Sequence, residues 1–212
     1  MKRWLILAAM CLCFAGCDDG SGTRGGITDD TPFYGLTSIG EVIEYLADPG
    51  QGGTDPDNPV ELSVRVSASE WERLFETIQL ADKFVALDIS RCYNVPREFN
   101  ISFYMILIWD YKIVSMILPM GITSIVNNHL VYYPNLRQIT LPASLTSIGY
   151  SAFSNNENLA RVICHATTPP VMRDWAFQSV SADLVIEVPA ASVAAYKAAE
   201  NWSEYADKIR AM

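Results

Sequence analysis

The stretch VSMILPMGITSIVNNHLVYYPNL, residues 114–136, runs without a gap into RQITLPASLTSIGYSAFSNNENL, residues 137–159, and the second repeats the first. Leu118 falls on Leu141, Pro119 on Pro142, Thr123 on Thr146, Ser124 on Ser147, Ile125 on Ile148, Asn135 on Asn158 and Leu136 on Leu159. The repeat length is 23 residues. An unbroken period of this size marks a solenoid, in which each unit buries its apolar side only by stacking on the next. Such chains build extended binding surfaces, so the pattern points to binding without naming a ligand.

Outward from this pair the pattern decays. Downstream, Arg161–Cys164 (RVIC) occupies the strand position of a third repeat, Thr167-Thr168-Pro169-Pro170 turns the chain, and Ala176-Phe177 matches Ala152-Phe153. Val185–Val188 reads as a fourth strand ending at Pro189. The Ala-rich tail then places Val193 and Tyr196, and Trp202, Tyr205, Ala206 and Ile209, at helical spacing, which predicts a helical cap over 190–212. Upstream, Ser38-x-x-Glu41 forms a capping box before a helix over 39–47. Val60, Leu62, Val64 and Val66 alternate with polar residues as in a half-buried strand. Ser69-x-x-Glu72 is expected to cap a second helix with Trp71, Leu74, Phe75 and Ile78 on its core face, and Phe84–Ser90 is a further strand. Residues 36–92 thus read as an N-terminal cap built on a strand-helix-strand unit, and 93–189 as the repeats. Phe103–Trp109 (FYMILIW) is read as a buried strand or helical turn in a degenerate repeat, with an exposed apolar binding patch as the competing reading.

The chain carries 15 basic and 24 acidic residues, net −9. That balance has no footprint for nucleic acid. Residues 1–16 read as a signal peptide: Lys2 and Arg3 form a basic start, Trp4–Phe14 is apolar, and Ala15-Gly16 precede Cys17. An ordinary secretory signal or an uncleaved anchor are the competing readings, although a spanning helix needs roughly 20 apolar residues. Asp18–Thr31, within 17–35, has almost nothing to bury and reads as a flexible tether. Beyond the leader and Cys17, only Cys92 and Cys164 remain of the 5 cysteines. They are expected three strand spacings apart, about 14 Å at ~4.8 Å per strand. A disulfide needs Cα atoms within about 7 Å. Two buried thiols are expected.

The run Ile139-x-Leu141-Pro142-x-x-Leu145-x-x-Ile148-Gly149-x-x-Ala152-Phe153, followed by Leu159, resembles the 23-residue leucine-rich repeat of BspA-like and treponemal bacterial surface proteins. Thr168-Pro169-Pro170, Val188-Pro189, Tyr196-Lys197 and Trp202 are similar to the usual end of such proteins, and Val85–Cys92 to the strand that opens their repeats. Ala15-Gly16-Cys17 resembles a bacterial lipobox, which implies lipid on Cys17. The family's cysteine three residues after Ala-Phe is Asn156 here, with Tyr133 at the matching place. The fold class implied is an α+β repeat, a short leucine-rich repeat solenoid with an N-terminal strand-helix-strand cap and a C-terminal helical cap. The function implied is that of a surface-exposed or envelope lipoprotein that binds proteins, some such proteins being adhesins or antigens.

Catalytic groupings are not legible: there is no Gly-x-Ser-x-Gly, no Cys-x-x-Cys after the leader and no phosphate loop. His129 and His165 read as turn or surface residues, since a metal site asks for several convergent donors. Asp55 and Asp57 lack the spacing of a calcium loop and read as a solvated turn. No enzyme, no cofactor and no metal site is expected. Alternation instead places Ser115 and Ile117, Gln138 and Thr140, and Arg161 and Ile163 on one outward sheet face, the candidate partner-binding surface. The expected partner is a host or envelope protein, and a periplasm-facing assembly lipoprotein is the alternative role.

Overall fold

Alternating apolar residues become strands at the positions where the repeats coincide. The structure is a computed structural model describing residues 35–100 and 112–212. Strands β1 (Val60–Ser63), β2 (Val85–Asp88), β4 (Ile113–Ile117), β6 (Gln138–Leu141), β8 (Arg161–Cys164), β10 (Val185–Val188) and β11 (Ile209–Ala211) form a seven-stranded sheet in that order. A second sheet, β3 (Glu98–Phe99), β5 (Ser124–Ile125), β7 (Ser147–Ile148) and β9 (Val171–Met172), has two residues per strand. All pairings in both sheets are parallel. In each repeat the chain makes one long strand, turns, makes one short strand, and returns through a second turn.

The core lies between the sheets. Met116, Ile139, Val162 and Ile186, aligned across the long strands, are buried, as are Phe99, Ile125, Ile148 and Met172 on the short ones. The turns add Leu130, Phe153 and Phe177; the last two stack with ring centroids 5.2 Å apart and planes 6° from parallel. Backbone bonds join successive turns as well as strands: the Leu130 N–H donates to the Ala152 carbonyl and Phe153 N–H to that of Ala176, both at 2.8 Å. Side chains bind the previous turn too, the Thr146 hydroxyl donating to the Thr123 carbonyl (2.9 Å) and the Ser144 hydroxyl to the Ile122 carbonyl (2.7 Å). Gly149 has no room for a side chain, since an added Cβ would lie 2.6 Å from the Asn127 backbone nitrogen.

Helix α1 spans Ile39–Ala47, with the Ser38 hydroxyl accepting from the Glu41 N–H as expected, and buries Ile39, Val42 and Leu46. Helix α2 spans Trp71–Leu80 and buries Trp71, Leu74, Phe75 and Ile78. Its entry differs from the expected cap. The capping box is Ser67 with Glu70, around a short 3₁₀ turn over Ala68–Glu70 that precedes α2, and not Ser69 with Glu72. A parallel bridge of Ser67 to Tyr93 fixes where the chain turns.

The tail also departs from the expected all-helical cap. Helix α3 covers only Val193–Ala198, 3₁₀ turns flank it, and Ile209–Ala211 becomes β11, extending the long sheet. Parallel pairing with β10 gives backbone partners to the edge of this segment that faces β10, which outweighs its helical spacing. Tyr196 and Trp202 close this end, fully buried and 4.9 Å apart edge to face. The Tyr196 hydroxyl donates to the Ala166 carbonyl (2.8 Å) and lies 3.2 Å from Cys164 Sγ, while the Trp202 indole donates to Pro170 (2.7 Å). Cys92 and Cys164 are free and buried, and burial raises both thiol pKa values. The expectations for the leader and Cys17, most of the tether, and Phe103–Trp109 lie outside the described residues.

Candidate binding face

The six face residues predicted by alternation come together on the long sheet. Register pairs Ser115 with Gln138 and Gln138 with Arg161 in one row, and Ile117 with Thr140 and Thr140 with Ile163 in the next. Ile117 and Ile163 are half-buried, while Thr140 between them is only 9% exposed. The two isoleucines flank the threonine across the strands and are the more exposed, so the apolar contact on this face rests on them. Asp88 borders the second row on the β2 side, and Glu187 on the β10 side.

Arg161 is not an isolated charge. Its Nε and Nη2 donate to Glu187 Oε2 at 2.9 and 2.6 Å, and its Nη1 to Gln138 Oε1 at 3.2 Å. Arg210 on β11 donates through Nε and Nη2 to the other oxygen, Oε1, at 3.2 and 2.7 Å. Hydrogen bonds from Arg210 and Arg161 hold the Glu187 carboxyl below the usual carboxylate range. The result is an arginine-glutamate-arginine clamp with planar forks that fix all three side chains. Sequence reasoning missed Glu187 and Arg210. The signal for the first was present, since alternation within Val185–Val188 puts Glu187 on the same face as Ile163.

The histidines divide. His165 is exposed, as expected, whereas His129 is 5% exposed and meets the Phe99 ring edge to face at 5.4 Å. Its turn packs inward where the next repeats place Ala152 and Ala176. Burial lowers its pKa from 6.5 to about 4. Above pH ~6.5 the ring is neutral in folded and unfolded chains alike. As pH falls from 6.5 towards 4, the unfolded chain takes up the proton and the folded one does not, so stability is lost across that window, about 3 kcal/mol in all. Urea unfolding of His129→Ala is expected to show a flatter loss between those pH values than the parent. Equal slopes would place the parent's ring within reach of solvent.

Among the described residues no group of His, Cys, Asp or Glu could hold a metal ion, and no helix is long and apolar enough to cross a membrane. Asp57 in the loop before β1 pairs with Arg137, and its N–H donates to Asp55 Oδ1 at 2.8 Å.

Parallel strands stepping in register around a leucine- and isoleucine-filled core define a leucine-rich repeat region. Residues 105–190 match the family model described as BspA type leucine rich repeat region, in 6 copies, and this part of the chain is a BspA-like leucine-rich repeat region. A search among curated proteins gives no match. Leucine-rich repeat regions generally bind protein partners and are generally non-catalytic.

Proposed function

We propose that this chain is a non-catalytic, exported lipoprotein whose 23-residue repeats bind a host or envelope protein through the long sheet face. The supporting observation is the exposed side of β4, β6, β8 and β10, where Ile117 and Ile163 lie beside the rigid clamp of Arg161, Glu187 and Arg210. An interface gains most from apolar contact and arginine anchors held in one conformation. On this reading residues 1–16 are the leader, Cys17 carries lipid, 17–35 is the tether, 36–92 caps one end of the repeats in 93–189, and 190–212 closes the other.

The clamp changes which residue tests the face. Arg161→Glu would set a carboxylate against Glu187 and confound binding with stability, whereas Ile117→Arg alters the outward surface three strands away from Glu187 and spares the clamp. Against a partner isolated from host matrix or envelope extract, Ile117→Arg is expected to weaken binding at least tenfold, about 1.4 kcal/mol. Unchanged affinity would move the interface to the turns around Tyr132, Tyr133 and Asn155. In the same cells, palmitate label lost on Cys17→Ser tests the anchor. Removal by protease added outside intact cells separates an adhesin from a periplasm-facing assembly protein, which is spared.

A further inference from the structure

The turns carry a surface that the proposed protein-binding face does not use. Asn128, Ser151 and Trp175 occupy corresponding turn positions, all left-handed, with φ of 54°, 51° and 62°. Asn and Ser tolerate this backbone, but a bulky ring there is an outlier. Such outliers persist where surrounding structure holds them, and they cluster at ligand sites. Trp175 is moreover 56% exposed, with its ring edge-on to Tyr150 at 4.9 Å. Strain here presents an aromatic surface to solvent rather than filling the core.

Tyr150 of this pair lines a groove of about 230 Å³, whose wall is otherwise polar at Asn127, Arg173, Asp174, Glu200 and Asn201 and apolar at Val171 and Met172. Part of its wall is fixed. Asn127 Oδ1 accepts from the Tyr150 N–H (2.8 Å), and the Asn201 amide donates to the Met172 carbonyl (2.7 Å) and to Asp174 Oδ1 (3.2 Å). Asn201 is itself left-handed, with φ 63°. The Arg173 guanidinium, the Glu200 carboxylate and the Tyr150 hydroxyl make no hydrogen bond to another described residue, so donors and acceptors both remain for a ligand.

The chemistry of the lining narrows the ligand. Two carboxylates against one guanidinium disfavour phosphate or carboxylate ligands, and the polar wall disfavours a purely apolar one. Aromatic rings offer flat apolar surface, while arginine donors and carboxylate acceptors match hydroxyls that both donate and accept. A ring with an apolar C–H face and a rim of hydroxyls answers both halves of the site. The volume is below the roughly 300–1,000 Å³ of drug-sized pockets, which limits the occupant to about one ring.

We propose that this groove, with Tyr150 in its wall and the Trp175 ring packed edge-on against Tyr150, binds one neutral pyranose ring, either as a single sugar or as the end of a neutral glycan. The test is saturation-transfer NMR on the full-length chain with the methyl glycosides of glucose, galactose, mannose and N-acetylglucosamine. At least one glycoside is expected to take up saturation through its ring C–H protons. Trp175→Asn, which suits the left-handed backbone, and Tyr150→Ala are each expected to reduce that transfer at least fivefold. Trp175→Asn should do so without lowering the melting temperature, while Tyr132→Ala, an exposed turn aromatic outside the groove, leaves transfer unchanged. Stronger transfer to the same sugar at the end of a neutral trisaccharide assigns the site to glycan ends, and equal transfer to single sugars. Transfer to none of the four glycosides, or transfer that survives both Trp175→Asn and Tyr150→Ala, overturns the proposal.

Discussion

Asn156→Leu is expected to cost about 3–5 kcal/mol, although it exchanges a polar residue for an apolar one of similar size in a fully buried position. The side chain is 0% exposed and its amide serves three backbone groups. Nδ2 donates to the carbonyls of Leu130 (2.7 Å) and Phe153 (2.9 Å), and Oδ1 accepts from the Tyr133 N–H (2.7 Å). Leucine fills the space but removes all three bonds, at about 1–3 kcal/mol each before relaxation. Apolar gain does not offset this, because two of the bonds serve the carbonyls of Leu130 and Phe153, both fully buried residues. Urea denaturation measures it. A loss below about 1 kcal/mol would show that the turn has shifted to pair those groups elsewhere.

Leu141→Ala is expected to cost about 2–5 kcal/mol, from lost transfer energy and from a cavity that the flanking strands cannot collapse. Leu141 is 0% exposed and ends β6, opposite Cys164 of β8. Gln138, on the same strand but facing outward, makes one side-chain bond, to Arg161 at 3.2 Å, so Gln138→Ala should stay within about 1 kcal/mol. A larger loss at Gln138 than at Leu141 would mean that the strand faces are exchanged, as a one-residue slip would do.

Strand faces were legible in the sequence because their period is two and each repeat restates it: Leu118 and Leu141, or Ile125 and Ile148, coincide in sequence and in place. What stayed illegible depends on residues distant in the chain. His129 is buried because Phe99 and the neighbouring turn cover it, which no local pattern around Asn127–Leu130 announces. Ser67-x-x-Glu70 and Ser69-x-x-Glu72 carry the same capping signal two residues apart, and the bridge to Tyr93 decides between them. Ile209–Ala211 is too short to display alternation and follows an Ala-rich segment, so only the open edge of β10 makes it a strand. On the binding face, the positions of Ile117 and Ile163 followed from alternation, but the clamp at Glu187 needed the register of β8, β10 and β11 together.

Since every strand of the long sheet bonds only to its immediate neighbours, this architecture is edited by length. Duplicating one whole repeat would insert a strand in each sheet, keep inward residues inward, and widen the outward face by about 4.8 Å. Losing one would narrow it by the same step, bringing the clamp at Glu187 closer to Asp88 while leaving each charge in its own surroundings. Reach across a partner is therefore a quantity that recombination between repeats can change in whole strands, separately from point substitutions that change what each strand displays.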